Sequence, residues 1–203
     1  MYTIIEDCSP YYIRFKWDGL QEVISSISQQ PIEKEEKYPG YQNQWLTNEA
    51  AEKINEALPF KNLGLRLSRF CIFDTYPDGG MGIHTDGWTN DDGVNTNEVG
   101  INISLEILDD KCITAWYDHD QFKDWPVITT RWSKNVLRDW RKAANYLTVK
   151  TMNVRPGEAV LLNTAIYHNV WNKNSPNNRK LLTLRPRVNT IPFAEIKKIM
   201  FGL

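Results

Sequence analysis

Two histidines and an aspartate stand at positions from which a single metal ion could be bound. His84 and Asp86 lie in the run GIHTDG. Residues two apart in an extended strand point to the same side, so an imidazole nitrogen and a carboxylate oxygen can face one point. His168 follows in NTAIYHNV, directly after the apolar run EAVLLNT. Because strands distant in sequence can be neighbours in a β-sandwich, we expect this second imidazole to reach the same point.

The types of these ligands suggest their chemistry. Two neutral imidazoles and one carboxylate occupy one face of an octahedron and leave three positions open, which suits a non-haem Fe(II) that binds a co-substrate, oxygen or water. Zinc could take the same ligands and would then favour hydrolysis. The chain has three histidines, so this site uses two of them. The third, His119, lacks the His-x-Asp spacing, and we predict that it lies on the surface.

A candidate anion-binding residue follows the second histidine. Arg179 opens the strand-like run RKLLTLR, and a guanidinium can hold a carboxylate through two parallel hydrogen bonds. In a strand, Arg179, Thr183 and Arg185 share one face, whereas Lys180 lies on the other. This alternation argues against Lys180 as the carboxylate-binding residue more strongly than against Arg185, which remains an alternative to Arg179.

Short β-forming runs separated by turn residues must position these side chains. They begin at Leu63 and predict an all-β sandwich or barrel. The runs are 63–73, 99–107, 111–117, 146–154, 158–164 and 179–185.

Helical patterns surround and interrupt the β-rich part of the chain. Apolar residues in 20–29 have helical spacing, and a second helix begins after Thr47 or Asn48 and ends before Pro59. The apolar spacing of SKNVLRDWRKAANYL predicts a helix inside an insertion at 118–145. A short helix is expected after Pro192, and the charged run EKEEK at 33–37 is expected to be a surface segment.

Composition excludes several classes of protein. A chain of 203 residues with 41% hydrophobic and 24% charged residues is typical of one folded domain. Its net charge of −1 argues against a nucleic-acid or anionic-membrane partner. No apolar run approaches the roughly 18 residues that span a bilayer, and no signal peptide is apparent. Cys8, Cys71 and Cys112 lack CxxC spacing, so we expect buried, reduced thiols in the cytoplasm. The oligomeric state cannot be predicted.

The combination His84-Thr85-Asp86, His168 and Arg179 resembles the Fe(II)/2-oxoglutarate-dependent dioxygenases, in the branch similar to prolyl hydroxylases. The runs YPDGGMGIHTDG and RPGEAVLLNTAIYHNV are similar to the family's segments around the two histidine positions. The resemblance covers about residues 63–188, without the 118–145 insertion, and implies a mainly β fold with a double-stranded β-helix (jelly-roll, cupin-like) core. The N-terminal helices, the helical insertion and the short C-terminal helix are expected from the patterns above. The expected layout of this single domain, 1–203, is a helical and loop lead-in at 1–62, a core at 63–188 interrupted at 118–145, and an extension at 189–203.

The resemblance also implies roles for individual residues. His84, Asp86 and His168 would bind Fe(II), and Arg179 would pair with the distal carboxylate of the co-substrate 2-oxoglutarate. The side chains expected to face the co-substrate are Tyr76, Thr183, Asn102 and Ser104. Ser104 stands where the prolyl hydroxylase-like pattern often has a tyrosine.

The implied activity is hydroxylation of a C–H bond in a small molecule, an amino acid or a peptide, using molecular oxygen and releasing succinate and carbon dioxide. Two alternatives remain open at this stage. A cupin-like metal-dependent isomerase or hydrolase would not depend on Arg179, and a non-catalytic binding module would have no metal-dependent turnover.

Overall fold

Two large antiparallel sheets and one short hairpin make up the β structure. The computed structural model describes residues 2–63, 67–86, 88–90, 93–95, 99–107, 109–130, 133–153, 155–186 and 191–203. The strands are β1 Tyr2–Cys8, β2 Tyr12–Trp17, β3 Ile32–Tyr38, β4 Tyr41–Leu46, β5 Leu67–Thr75, β6 Gly80–Asp86, β7 Trp88–Asn90, β8 Gly93–Asn95, β9 Val99–Ile107, β10 Cys112–Tyr117, β11 Ile128–Thr129, β12 Ser133–Leu137, β13 Thr148–Asn153, β14 Ala159–Asn163, β15 His168–Asn172 and β16 Arg179–Pro186. The α-helices are α1 Leu20–Ile27, α2 Asn48–Ala57 and α3 Phe193–Phe201, and the 3₁₀ helices are Pro59–Leu63, His119–Phe122 and Trp140–Asn145.

The chain alternates between the two sheets in the manner of a jelly roll. The large sheet has the order β1-β2-β14-β9-β16-β5-β4-β3, and the small sheet has the order β11-β12-β6-β15-β10-β13. From β5 onwards the chain passes to β6 in the small sheet, back to β9, across to β10 and β13, and finally through β14, β15 and β16 in the same alternating way. The predicted mainly β, double-stranded β-helix fold is confirmed.

Each face of the large sheet has a different role. Leu182 and Leu184 of β16 are fully buried in a core that also contains residues of α1, α2 and α3. Ile27 of α1 and Ile196 of α3 pack in this core with no exposed area. Since neighbouring residues on a strand point to opposite faces, Arg179, Leu181, Thr183 and Arg185 face the other way and line a cavity. The helices therefore cover one face of the sheet and leave the other for the site.

The helix ends agree with their sequence signals. Thr47 caps α2, because its hydroxyl accepts a hydrogen bond from the backbone N–H of Ala50 at 3.2 Å. The helix ends at Ala57, two residues before Pro59. α3 begins directly after Pro192, as predicted.

The first 62 residues differ from the predicted lead-in of helices and loops, because they also contain four strands. β3 pairs with β4, and β4 pairs with β5 at the edge of the large sheet. Every residue of β3 except Glu36 is exposed, which agrees with the surface position predicted for 33–37. Because backbone pairing rather than an apolar face holds β3 in place, its sequence lacks the alternation that identifies a half-buried strand.

The helix predicted within the 118–145 insertion is also replaced in part by a strand. Ser133–Leu137 forms β12, which pairs with β6, the strand of His84 and Asp86, and Trp140–Asn145 forms a 3₁₀ helix. The helical spacing of apolar residues was thus overridden by a tertiary partner that this segment acquires only in the folded chain.

Two predictions from composition concern the membrane and the thiols. None of the helices in the described part of the chain is both long and apolar enough to cross a bilayer. All three cysteines are free thiols, and Cys71 and Cys112 are buried as expected. Cys8 differs from the prediction, because it is only half-buried at the end of β1.

Candidate metal and co-substrate site

The pairing of β6 with β15 brings the two sequence-predicted histidines together. His84 and His168 are directly opposite in the antiparallel register, and their ring centroids are 4.4 Å apart. Asp86 lies two residues beyond His84 on the same side of β6. One ligand atom from each of the three side chains lies within 4.8 Å of the other two, and all three residues are buried. The structure thus assembles the predicted set of two imidazoles and one carboxylate.

Backbone carbonyl groups fix which imidazole nitrogen is available to a metal. His84 Nδ1 is 2.7 Å from the Gly82 carbonyl oxygen, and His168 Nδ1 is 2.9 Å from the Ile166 carbonyl oxygen. A carbonyl oxygen can only accept, so each Nδ1 carries the proton and each Nε2 keeps a lone pair for a metal. His84 Nε2 lies 3.6 Å from Asp86 Oδ1. These contacts orient both rings without a bound ion.

The charge state of the site also suits a metal. Burial, together with the neighbouring His84, lowers the pKa of His168 to about 4, so its imidazole is neutral near pH 7. Burial, the largest single influence, would raise the pKa of Asp86, but the positive charge of Arg185 and the contacts with His84 and His168 together outweigh it and hold that pKa well below the ordinary carboxyl value. A neutral imidazole and an ionised carboxylate are the forms that bind a metal ion.

Arg185 holds one oxygen of the aspartate. Its Nη2 donates to Asp86 Oδ2 in a buried ion pair across 99 residues of sequence. Gly100 of β9 makes room for this arginine, because a Cβ at Gly100 would collide with the guanidinium group. With Oδ2 bound to Arg185, Oδ1 is the oxygen of Asp86 nearer to His84 Nε2. This arrangement favours coordination by a single carboxylate oxygen.

Arg179 provides a second, different positive charge in the same cavity. The cavity has a volume of about 590 Å³, within the range of ligand-binding pockets. Arg179 lines it, is only 3% exposed, and its Nε has no hydrogen-bond partner among the described residues. The only carboxylate among the described lining residues is Asp86, which is already paired with Arg185. An unpaired buried guanidinium beside a metal-ligand set fits a co-substrate that carries its own carboxylate.

The other predicted co-substrate residues are divided between two environments. Asn102 and Thr183 line the cavity with Arg179, and the buried Asn102 Oδ1 atom has no hydrogen-bond partner in the described parts of the chain. Tyr76 lies outside the lining, and its hydroxyl donates to Gln42 Oε1 at 3.3 Å. Ser104 is also outside the lining, although its buried hydroxyl has no partner among the described residues. Contacts of Tyr76 and Ser104 with a co-substrate remain predictions.

Some residues of the cavity were not singled out from the sequence. Tyr38 and Tyr41 reach it from the β3–β4 hairpin, and Asn135 and Arg138 reach it from β12 and its end. No local pattern could have placed them there, because each depends on strand pairing over a long range. For Arg185, the sequence could predict that the side chain faces the cavity, since the alternation of β16 puts it on the same face as Arg179, but it could not predict the ion pair with Asp86.

Comparisons with known proteins identify the fold. No family model matches the chain, and no curated protein matches it in sequence. Among solved structures, a 2OG-Fe(II) oxygenase family oxidoreductase from Burkholderia pseudomallei is similar with a TM-score of 0.55 at 15% identity, over 91% of this chain and 88% of that one. HygX from Streptomyces hygroscopicus, with nickel and 2-oxoglutarate bound, gives a TM-score of 0.52 at 15% identity, over 87% and 83% of the two chains. The chain has the fold of a 2OG-Fe(II) oxygenase.

Two further solved structures share this fold. The viral collagen prolyl hydroxylase of Paramecium Bursaria Chlorella virus-1, in complex with 2-oxoglutarate, has a TM-score of 0.51 at 12% identity, over 90% of this chain and 98% of that one. HygX has also been crystallised with nickel, 2-oxoglutarate and hygromycin B, at a TM-score of 0.51 and 14% identity. These likenesses extend over 87% and 90% of this chain.

Proposed function

We propose that the protein is an Fe(II)- and 2-oxoglutarate-dependent dioxygenase that hydroxylates a C–H bond. In this reaction one oxygen atom of O₂ enters the substrate as a hydroxyl group and the other enters succinate, while 2-oxoglutarate loses carbon dioxide. The observation that carries the proposal is the coexistence of two features in one cavity. These are the His84, Asp86 and His168 cluster and the buried Arg179, which has no acidic partner among the described residues.

Each residue has a role that follows from its contacts. His84 Nε2, His168 Nε2 and one oxygen of Asp86 would hold the iron and leave three coordination positions open. Arg185 occupies Asp86 Oδ2, so it would keep the carboxylate from taking a second position. When bound, the iron and 2-oxoglutarate would supply the oxidising chemistry, and the protein would supply orientation and a cavity shielded from water.

Arg179 would bind the distal carboxylate of 2-oxoglutarate. It belongs to the central strand β16, which pairs with β5 and β9, so its backbone is fixed on both sides. Thr183 lies two residues from Leu181 and four from Arg179 on the same face, and Asn102 faces Thr183 across the β9–β16 pair. Both polar side chains could accept or donate hydrogen bonds to the co-substrate along its length.

The substrate is proposed to be a small molecule, an amino acid or a residue within a peptide. The cavity continues beyond Arg179 and the metal ligands to Tyr38 and Arg138 at its rim, so it has room for a second ligand beside the co-substrate. The hygromycin B complex of HygX supports a small-molecule substrate by analogy of fold alone.

The test begins with anaerobic protein, Fe(II) and 2-oxoglutarate. We expect a visible metal-to-ligand charge-transfer band in the wild-type protein. His84→Ala should abolish the band and weaken iron binding, because it removes one of three ligands. His119→Ala is the matched control, since His119 is exposed and stacks on the ring of Tyr167 with centroids 5.3 Å apart. It should leave the band unchanged.

Two results would contradict the proposal. One is the absence of the band in wild-type protein that has been shown to bind iron. The other is turnover of a substrate that requires the metal but neither 2-oxoglutarate nor oxygen, which would instead favour a metal-dependent hydrolase or isomerase. With a productive substrate, succinate release should match product formation one to one.

A further inference from the structure

A β-bulge in β12 returns the exposed residue Arg138 to the cavity side of the small sheet. Ser133 and Asn135 of this strand line the cavity, and the register with β6 shifts between Asn135 and Leu137. Val136 and Leu137 both pack on the other side of the small sheet, against a cluster that contains Ile83. Because the bulge inserts one residue, the next position, Arg138, returns to the cavity side and is among the lining residues.

Positive charge exceeds negative charge around the cavity. The described lining residues carry guanidinium groups on Arg138, Arg179 and Arg185, and their only carboxylate is that of Asp86. Arg185 and Asp86 form an ion pair, and Arg179 is assigned to the co-substrate under the proposed function. The charges of a divalent metal and a dianionic co-substrate would cancel each other, so binding both would leave the net positive charge of the cavity unchanged. Arg138 is exposed and makes no ion pair with any described residue.

The wall that continues from the β3–β4 hairpin is aromatic. Tyr41 stacks on Tyr38 and on Phe73, with centroid distances of 4.7 Å on both sides and interplanar angles of 20° and 25°. All three of these stacked rings line the cavity. Aromatic side chains offer a large apolar surface, so this wall favours the less polar part of a ligand.

The hairpin that carries this wall is held in place by close backbone packing. A Cβ at Gly40, in the hairpin turn, would lie 2.6 Å from the Gly80 nitrogen and 2.8 Å from the Trp140 ring. Tyr76 N–H donates to the Gly40 carbonyl oxygen at 3.2 Å. The aromatic wall and the segment that carries Arg138 are thus fixed relative to the metal-ligand strand β6.

From these observations we infer that the primary substrate is a small organic anion, a carboxylate or a phosphate ester. Its anionic group binds Arg138 at the cavity mouth, and its less polar part lies along Tyr41 and Phe73 towards the metal ligands. This inference rests on the proposed function, because it assigns Arg179 to 2-oxoglutarate. Arg138 is a specificity-determining residue in this arrangement and takes no part in the oxidation.

The test uses three probes that differ in charge. They are 4-fluorophenylacetate, 4-fluorophenyl phosphate and the uncharged 4-fluorophenylacetamide. The protein is loaded with Mn(II) and saturating 2-oxoglutarate without oxygen, so that Arg179 is occupied. Broadening of the ¹⁹F signal by Mn(II) reports binding close to the metal and gives a Kd for each probe.

We expect the anions to bind about tenfold or more tightly than the amide, because a guanidinium forms charge-assisted hydrogen bonds with them. Arg138→Gln should weaken anion binding about tenfold and leave amide binding unchanged. Arg141→Gln is the matched control, because Arg141 is exposed, lies over the Trp140 ring and does not line the cavity. It should leave all three Kd values unchanged. Raising NaCl to 0.5 M should weaken anion binding in the wild type more than in Arg138→Gln.

Equal affinity for the amide and the anions would overturn the inference. So would an Arg138→Gln protein with wild-type anion affinity, or equal losses in Arg138→Gln and Arg141→Gln. Titration of the same samples with 2-oxoglutarate separates the two proposals. If the protein does not bind 2-oxoglutarate but its binding of the anionic probes depends on Arg138, only the proposed function is contradicted. If the protein binds 2-oxoglutarate but its binding of the probes does not depend on Arg138, only this inference is contradicted.

Discussion

Replacing Arg179 by methionine should increase the stability of the ligand-free protein while removing its affinity for 2-oxoglutarate. Arg179 is 3% exposed, its Nε has no partner among the described residues, and burial lowers the pKa of its guanidinium group. An unpaired buried charge costs several kcal/mol, but the adjoining cavity can admit water, so we expect about 1–2 kcal/mol of net stabilisation in Arg179→Met. For a chain of this size, that corresponds to a rise in Tm of roughly 2–8 °C.

The same substitution, Arg179→Met, should weaken the binding of 2-oxoglutarate. Two hydrogen bonds between a guanidinium and a carboxylate contribute about 1.5–3 kcal/mol each, so their loss should weaken binding by about 10²–10³-fold after desolvation is taken into account. At a 2-oxoglutarate concentration of 100 Kd, the wild-type protein gains about 2.7 kcal/mol of stability. Arg179→Met should gain about 0.4 kcal/mol or less at the same concentration.

Thermal unfolding of Mn(II)-loaded protein, with and without 2-oxoglutarate, measures both effects in one experiment, and calorimetric titration gives the Kd. Lys180→Met is the matched control, because the neighbouring Lys180 points away from the cavity and pairs with Glu106 at 2.7 Å. It should keep the full thermal shift with 2-oxoglutarate. A wild-type shift in Arg179→Met would refute the assignment and direct attention to Arg185. A ligand-free Arg179→Met protein that is less stable than the wild type would show that the guanidinium group stabilises the fold.

Two further predictions concern ion pairs. Arg185→Met leaves the buried Asp86 carboxylate without its partner and should destabilise the metal-free protein by about 3 kcal/mol. Urea unfolding should show a smaller loss with Mn(II) bound, since the ion supplies positive charge, and an equal loss in both forms would contradict this explanation. Asp7 joins β1 to α3 through an ion pair with Lys197 at 2.7 Å. Burial by itself would raise the pKa of Asp7, but the hydrogen bonds from Lys197 and Ser9 together outweigh burial, so the pKa lies below its ordinary value. Its stabilisation is therefore present above the ordinary carboxyl pKa of 3.8 and is lost as the pH falls through the lower folded-state value. Asp7→Asn should reduce the free energy of unfolding by up to about 1 kcal/mol at pH 7, and the difference should shrink at pH 3.5; a difference independent of pH would refute the charge-based reasoning.

The cluster of His84, Asp86 and His168 could be predicted from the sequence because its geometry is largely local. His84 and Asp86 are two residues apart in a strand, and this spacing alone puts them on one side. His168 required one additional assumption, that the strand beginning there pairs next to the His84 strand, and the register confirms it. The alternation of Arg179 with Lys180 was likewise sufficient to decide which side chain faces the cavity.

The rest of the site depends on contacts that no local pattern encodes. The ion pair of Asp86 with Arg185 joins residues 99 positions apart, and it needs the space that Gly100 leaves on a third strand. Residues 133–147 have the apolar spacing of a helix, yet pairing with β6 makes their first part a strand. The free energy of strand pairing between distant segments outweighed the local preference for a helix, and this pairing cannot be inferred from a short segment of sequence.

The sequence by itself determined the composition of the proposed metal centre, since the types and strand spacing of His84, Asp86 and His168 already specify two imidazoles and one carboxylate, a set that would leave coordination positions open. The tertiary structure alone decided how that centre is completed and what surrounds it. It paired Arg185 with Asp86, left Arg179 without an acidic partner among the described residues and brought the β3–β4 hairpin and the bulged end of β12 to the cavity. The physical reason is that a strand fixes the direction of its own side chains through backbone geometry, whereas the neighbours of those side chains are fixed only when sheets form between distant segments.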